Sequence, residues 1–550
     1  MAAASLLALG SCSKMGELSP EYFKSTPQPL EAVGGQVPVT INGQFPEKYM
    51  KKKAVVTVTP ELRYGNGQAK RGESAAFQGE KVMGNDQSIS YRLGGRYTMK
   101  AAFPYEDAMQ QSDLYLTFDA KVGKKKVEIP AVKIGSGVVA TSELYKQALM
   151  GEGGCIAVDS FQRVKQHKQE AEVRFLVNQA TLRQSELKNN SVQEFISLLK
   201  KIKADQGQTL GMHNVEVAAY ASPEGGFSFN DKLANKRQDV SEDYVKGQLK
   251  KTKVDASVSS RYTAQDWDGF QKLVQASNIQ DKDVILRVLS MYKDPEERER
   301  QIRNMSEGFR ELADYILPEL RRSRLTINYE TIGRSDEQIK EQYAADPAKL
   351  DVEEMLYLAT LEETPAAKEA VYRKAAEYYD KDYRGFNNAA VMAFNRGDSE
   401  TAKEWIAKAL RADSKAPEAF ANLGLIDLAE GNVASAENNI ANAIGANGFG
   451  QALGNLNIAK GNFAQAEENF ENSANNSAAL AQILNKNYEK ARQTLDGIKA
   501  PNGLTHYLKA ILSARTDDKA AAASHLAKAL EEDPNLGQYA AKDLELAGIR

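Results

Sequence analysis

The sequence predicts a multidomain chain: an N-terminal all-β sandwich, an α+β domain with a helical insertion, and a C-terminal array of α-helical pairs. Three observations predict it. Short runs over 36–150 alternate β-branched with polar residues. The stretch 215–249 passes from strand spacing, through a polar turn, to helical spacing. Beyond 351, alanines recur at intervals of 34, 30, 25 and 31 residues, each shortly after a turn. The 550 residues allow about three or four domains of ~150 residues. A composition of 42% apolar and 26% charged residues is ordinary for a globular chain, and a net charge of −3 gives no global pull toward nucleic acid or anionic membrane. Mean hydropathy is −0.50 and no run of about 18 apolar residues occurs, so no transmembrane helix is expected.

The chain opens on an apolar run, Leu6-Leu7-Ala8-Leu9, that closes on Gly10-Ser11-Cys12. This resembles a bacterial lipoprotein signal peptide over 1–12, with Leu9-Gly10-Ser11-Cys12 as its lipobox. The resemblance implies that Cys12 carries acyl chains such as palmitate and anchors the chain in the outer membrane. Residues 1–8 contain no Lys or Arg, so a basic leading segment would lie upstream. Ser13-Lys14-Met15-Gly16 has no acidic run, which favours the periplasmic face. Residues 13–35, polar with three prolines, are expected to be a linker.

Strands are expected around Val37–Ile41, Ala54–Thr59, Leu114–Phe118 and Val127–Ile134, punctuated by Tyr64-Gly65-Asn66-Gly67 and Gly94-Gly95. Their spacing predicts a β-sandwich over 36–150. The segment is similar to β-domains that precede OmpA-like domains in Bacteroidetes proteins. Cys155, in Gly151-Glu152-Gly153-Gly154-Cys155, is expected as a small buried residue in a loop entering a strand.

Residues 155–332 begin with a strand at Val173, Phe175 and Val177 and an amphipathic helix at Val192, Phe195, Ile196, Leu199 and Ile202. The strand Val215–Tyr220 then meets the turn Ala221-Ser222-Pro223-Glu224-Gly225, followed by Asn230, Leu233 and Arg237 at helical spacing. Leu317-Pro318-Glu319-Leu320-Arg321-Arg322 precedes a last strand, Leu325–Tyr329. These motifs resemble the OmpA-like peptidoglycan-associated domain, whose order is βαβα…β with an Arg-Arg before the final strand. In that family a turn Asp receives the ammonium of diaminopimelate and the helix Arg grips its carboxylate, as the planar fork of an arginine allows. The resemblance implies a peptidoglycan site of Arg237, Asn230 and Ser222, with Ser222 at the position of the Asp and Glu224 as a substitute acid. Trp267, Phe270, Leu273, Val284, Ile285, Val288 and Leu289, then Phe309, Leu312 and Ile316, mark an inserted helical segment.

Residues 333–350 read as a charged linker. From 351 to 550, Ala402, Ala436, Ala466, Ala491 and Ala522 each have a large residue four positions on: Ile406, Ile440, Phe470, Leu495 and Leu526. Small-then-large spacing is what closely packed antiparallel helices need. The period resembles the tetratricopeptide repeat, of about 34 residues. The match is clearest over 386–448 and 504–536, with 461–500 shortened. Trp405 is the only Trp of the array.

No catalytic constellation is present. His167, His213, His506 and His525 lack metal-ligand spacing, and neither a phosphate loop nor a nucleophile elbow occurs. The expectation is a non-enzymatic chain without cofactors that resembles Bacteroidetes OmpA-like lipoproteins with tetratricopeptide-like repeats. It would act as an outer-membrane scaffold, binding other envelope proteins through its repeats and tethering peptidoglycan through its OmpA-like domain. The alternative is a structural component of an outer-membrane secretion or assembly machine without wall binding. Nucleic acid is not an expected partner.

Overall fold

Every second residue of the longer N-terminal strands is buried, as alternation requires. The structure, a computed structural model, describes residues 15–151, 154–279, 281–304 and 310–549; Cys12 and Phe309 lie outside them. The N-terminal strands are β1 (Phe23–Thr26), β2 (Leu30–Glu31), β3 (Gln36–Phe45), β4 (Ala54–Tyr64), β5 (Gln68–Arg71), β6 (Ala75–Gly79), β7 (Gln87–Ile89), β8 (Gly95–Pro104), β9 (Ser112–Val122), β10 (Lys125–Val127), β11 (Val132–Ser136) and β12 (Val138–Val139). One sheet has the order β1-β3-β8; the other runs β10-β9-β4-β6-β7, with β11 on β9 and β5 on β4. Val37, Val39 and Ile41 from the first sheet share one core with Val56, Val58, Leu114 and Leu116 from the second.

Residues 15–35 are not the expected tether. Met15, Leu18, Phe23, Leu30 and Ala32 are buried, β1 pairs antiparallel with β3, and β2 pairs parallel with β12. The two strands are only four and two residues long and Pro27 and Pro29 lie between them, so no periodicity advertises them.

The chain divides into two compact units. One is Ser160–Asp346; the other joins Met1–Asp159 to Pro347–Arg550. The first of these begins later and ends later than the 155–332 expected. Its sheet consists of β13 (Val164–Arg174), β14 (Leu210–Tyr220), β15 (Ser257–Thr263) and β16 (Arg322–Ile332) in the order β13-β16-β14-β15. β16 runs antiparallel to both neighbours and β14 parallel to β15. The helix Asn190–Asp205 starts where Asn189 accepts a hydrogen bond from the Val192 N–H, an N-cap. Its Val192, Phe195 and Leu199 pack with Val215, Val217, Leu325 and Ile327 of the sheet and Val245 of the helix Phe227–Thr252. β15 escapes notice in the sequence because Val258 is its only aliphatic residue. The inserted helices form a separate small core of Phe270, Val274, Ile285, Leu289, Ile302 and Leu312. Val177 and Val284, expected inside, are half exposed. The expected linker 333–350 is partly helical: Ser335 and Gln338 form a capping box for the helix Asp336–Ala345.

The repeat array consists of six helix pairs between Val352 and Glu532. Ala402, Ala436, Ala466, Ala491 and Ala522 are each 0% exposed on the second helix of a pair, and Ile406, Ile440, Phe470 and Leu495 are buried one turn on. Facing helices carry the complementary gaps. A Cβ on Gly424 would lie 2.5 Å from Ile440 Cγ1 and 3.2 Å from the Ala436 carbonyl, and one on Gly454 would lie 2.7 Å from the Phe470 ring. The shortened region keeps complete pairs, Phe449–Ala459 with Phe463–Phe470 and Asn476–Leu484 with Tyr488–Gly497.

The sheets and the array belong to one unit because their backbones meet. Gly34 and Gly461 both have positive φ, and a Cβ on either would strike the other's segment: Lys460 O at 2.9 Å, or Val33 Cγ1 at 2.6 Å. Ser142 Oγ donates to Ala32 O, Tyr539 Oη to Ala140 O and Thr141 Oγ1 to Glu545. Leu144, Tyr145, Ala148 and Leu149 then enter the same core as the array helices.

Ala436→Leu in the full chain should lower unfolding free energy by about 1–3 kcal/mol, read by denaturant unfolding. Ala434→Leu, two residues away and exposed, should leave it nearly unchanged. Equal effects would contradict the close helix crossing at Ala436.

Candidate functional site

The strand β14 delivers the chain into the turn at Ser222, and the Phe227 helix carries Asn230 and Arg237 back beneath it. The four expected site residues are brought together, but Ser222, Asn230 and Arg237 are buried and Glu224 is partly so. Arg237 is 1% exposed. Its Nε donates to Gln179 O at 2.9 Å, Nη1 to Tyr220 O at 2.9 Å and Nη2 to Leu176 O at 3.2 Å. The guanidinium also lies 4.9 Å from the Phe175 ring centre, a cation–π distance. Burial, with Arg321 nearby, pushes its pKa down to about 10, so it is charged at neutral pH.

The turn itself is closed by its own neighbours. Asn230 Nδ2 reaches the carbonyls of Ser222, Glu224 and Gly225 at 3.1–3.2 Å. Ser222 Oγ donates to Glu224 Oε1 at 3.0 Å. Arg321 donates to the same carboxylate from Nε at 2.8 Å and Nη2 at 2.7 Å. Gly225 N–H donates to Glu299 Oε1 at 2.9 Å, and Glu299 belongs to the inserted helix Pro295–Arg303. Glu299 and Arg321 were not among the expected site residues. Arg321 stands in the Arg-Arg pair before the last strand; nothing in the sequence marks Glu299.

A second arrangement has no counterpart in the sequence expectations. Residues 154–158 do not enter a strand. They lie extended against the first helices of the second and third pairs, Tyr383–Asn395 and Pro417–Ala429. Asn422 accepts from the Cys155 N–H at 2.7 Å and donates to the Cys155 carbonyl at 2.9 Å. Asn388 does the same for Ala157, accepting at 2.8 Å and donating at 2.9 Å. Asn387 donates to Cys155 O and to Asn388 Oδ1, and accepts from Asn422 Nδ2. Asn447 donates to Ile156 O at 2.9 Å, and Arg384, paired with Glu353 and Asp382, donates to Val158 O at 3.3 Å. An amide side chain offers one donor and one acceptor side by side, which matches the N–H and C=O of a single extended residue.

Register explains the match. Asn388 and Asn422 each stand nine residues before a turn glycine of positive φ, Gly397 and Gly431. One repeat of the array therefore corresponds to one two-residue step of the extended segment. That spacing is the signal in the sequence that would have found the pair. Cys155 is buried, as expected, and burial with Glu418 nearby pushes its thiol up to about 12.

No family model matches the chain, and no curated protein matches it. Among solved structures, the chain is similar to a tetratricopeptide repeat protein from Parabacteroides merdae, with 16% identity over 38% of this chain and 90% of that one, at a TM-score of 0.28. It is also similar to Pseudomonas aeruginosa pilF, with 20% identity over 38% of this chain and 97% of that one, at a TM-score of 0.26. Yeast Tom70 matches at 10% identity over 65% of this chain and 79% of that one, with a TM-score of 0.25. The repeat character of the C-terminal array rests on its buried alanines and complementary glycines.

Arg237→Ala should destabilise the full chain by about 3 kcal/mol or more, because three backbone carbonyls lose a charged donor. Arg237→Lys should recover only part of this, since one ammonium cannot span the three acceptors as the fork does. Denaturant unfolding reads both. A fully stable Arg237→Ala would mean that the arginine is not structural.

Proposed function

We propose that this protein is a non-enzymatic, protein-binding scaffold of the cell envelope, lipid-anchored through Cys12 at the periplasmic face of the outer membrane, and that its α+β domain is OmpA-like without wall binding. The observation that carries the reading is the array of six helix pairs, whose buried alanines and facing glycines stack into the kind of repeat surface that binds proteins rather than one that performs chemistry. The βαβα…β order and the position of Arg237 support the OmpA-like reading. The groups that would receive a stem peptide are already engaged: Arg237 with three carbonyls, Glu224 with Arg321, and the Gly225 amide with Glu299. This favours a structural part in an outer-membrane secretion or assembly machine over a tether to peptidoglycan.

The lipobox at Leu9-Gly10-Ser11-Cys12 supports the anchor. Folded chain begins by Met15, so an anchored protein would hold its sheet-rich region close to the bilayer rather than on a long tether.

Two fractionations test this. Full-length protein mixed with purified sacculi should remain in the supernatant, and co-sedimentation would overturn the loss of wall binding. In cells, Cys12→Ala should move the protein from the membrane pellet to the supernatant. A mutant that stays in the pellet would remove the lipid anchor from the account.

A further inference from the structure

We propose that one end of the sheet-rich region docks on the anionic phospholipid headgroups of the leaflet that holds Cys12, with lysines of its turns meeting the headgroup phosphates and Met83 and Leu93 entering the interface between them. This deepens the lipid-anchor reading above and rests on it.

Sheet register gathers four turns at that end. β3 ends at Phe45 beside the start of β8 at Gly95, and Lys48 N–H donates to Tyr91 O at 2.6 Å. β4 starts at Ala54 opposite Val122, where β9 ends, and Gly123 N–H donates to Lys53 O at 2.9 Å. β6 runs toward the same end, where Lys81 N–H donates to Lys52 O at 2.7 Å. Lys51-Lys52-Lys53, Lys81 and Lys124-Lys125-Lys126 are thereby brought to one end of the sandwich. The turns 46–53, 80–86, 90–94 and 119–128 carry ten Lys or Arg against five Asp or Glu, in a chain whose net charge is −3. The opening stretch 15–22 adds Glu17 and Glu21, which leaves the end positive. Two of these turns also present apolar side chains to water. Met83 is 100% and Leu93 66% exposed, more than any other large apolar residue among the described residues 15–150. Basic residues beside protruding apolar ones suit the boundary of an anionic bilayer.

The anchor lies at the same end. Met15 is buried in the core of the sheets, and Gly16 O accepts from Tyr49 Oη at 2.6 Å, two residues before the three lysines. Cys12 stands three residues before Met15, a reach of about 11 Å at most. That is close to the ~10 Å over which charges act at 0.1 M salt. The ten residues of β3 then span about 33 Å, and the array meets the sheets at the far end of that strand, at Gly34 and Gly461. The lysines and the array therefore occupy opposite ends of the sandwich. The acyl chains hold and the lysines orient: at physiological salt the lysines alone bind too weakly to retain Cys12→Ala in a membrane pellet.

Flotation of full-length Cys12→Ser protein, which carries no lipid, tests the docking end. The vesicles are phosphatidylcholine alone or with about 30% phosphatidylglycerol. The protein should float with the anionic vesicles at low salt, stay behind with the neutral ones, and be released at about 0.5 M salt. In the same background, Lys52→Glu with Lys124→Glu should cut the bound fraction about tenfold, and Met83→Ser with Leu93→Ser should lower it severalfold. Lys381→Glu with Lys415→Glu makes the same change in net charge on exposed turns of the array and should float undiminished. Equal losses from the two lysine pairs would reduce the effect to net charge and overturn the docking end. Absence of flotation with anionic vesicles would overturn the lipid partner, and retention on double-stranded DNA in its place would assign the lysines to another polyanion. The anchor has its own readout in the fractionation of Cys12→Ala, so the two readings fail separately.

Discussion

An extended backbone buried without a neighbouring strand must still pair its N–H and C=O groups. Residues 154–158 meet that constraint through side-chain amides from two successive repeats. A two-residue step of extended chain covers about 6.6 Å, and the array supplies one asparagine per step. The rest of the larger unit is consistent with this arrangement. The chain leaves the sheets at β12, passes the array's C-terminal end at Tyr539 and Glu545, buries Leu144 to Leu149 among the array helices, and reaches Asn422 and then Asn388. The first helices of the second and third pairs are thus covered by the chain's own segment, and the sheets and repeats share one unit although 187 residues, Ser160–Asp346, separate them in sequence.

The α+β unit shows the opposite use of a polar cluster. Arg237, Asn230, Ser222 and Glu224 are gathered at one turn, but each is paired internally. A guanidinium that is 1% exposed and holds three carbonyls acts as a cross-link among the Leu176–Gln179 loop, the end of β14 and the Phe227 helix. Glu299 on the Gly225 amide makes the inserted helices part of that closure. Removing the inserted carboxylate takes one partner from an amide donor, whereas removing Arg237 takes a charged donor from three carbonyls at once, and the second costs more.

Much of the fold was legible because periodicity is a local signal. Alternation at Val37, Val39 and Ile41 and the small-then-large pairs from Ala402–Ile406 to Ala491–Leu495 report which face is buried, and the structure buries those faces. What escaped was set by long-range pairing. β1 and β2 are too short and β15 too polar to carry a pattern, so only their partners identify them. The polar turn at Ser222–Gly225 was visible from its residues, but its closure depends on Arg321 and Glu299, 97 and 74 positions away from their partners. The asparagines that hold residues 154–158 were hidden for the same reason: their partner is a segment more than 230 residues earlier. Division of the chain into successive domains followed sequence order, whereas the structure inserts one unit into another.

The sheets and the repeat array stand or fall together. Native-state hydrogen exchange on the full chain under rising denaturant tests it most directly. The amides of Ile41 and Val58 in the sheets and of Ala436 and Ala510 in the array should lose protection at the same denaturant concentration, with those of Cys155 and Ala157 protected until then. Sheet amides that exchange freely while Ala436 and Ala510 stay protected would show two independent domains and contradict the account.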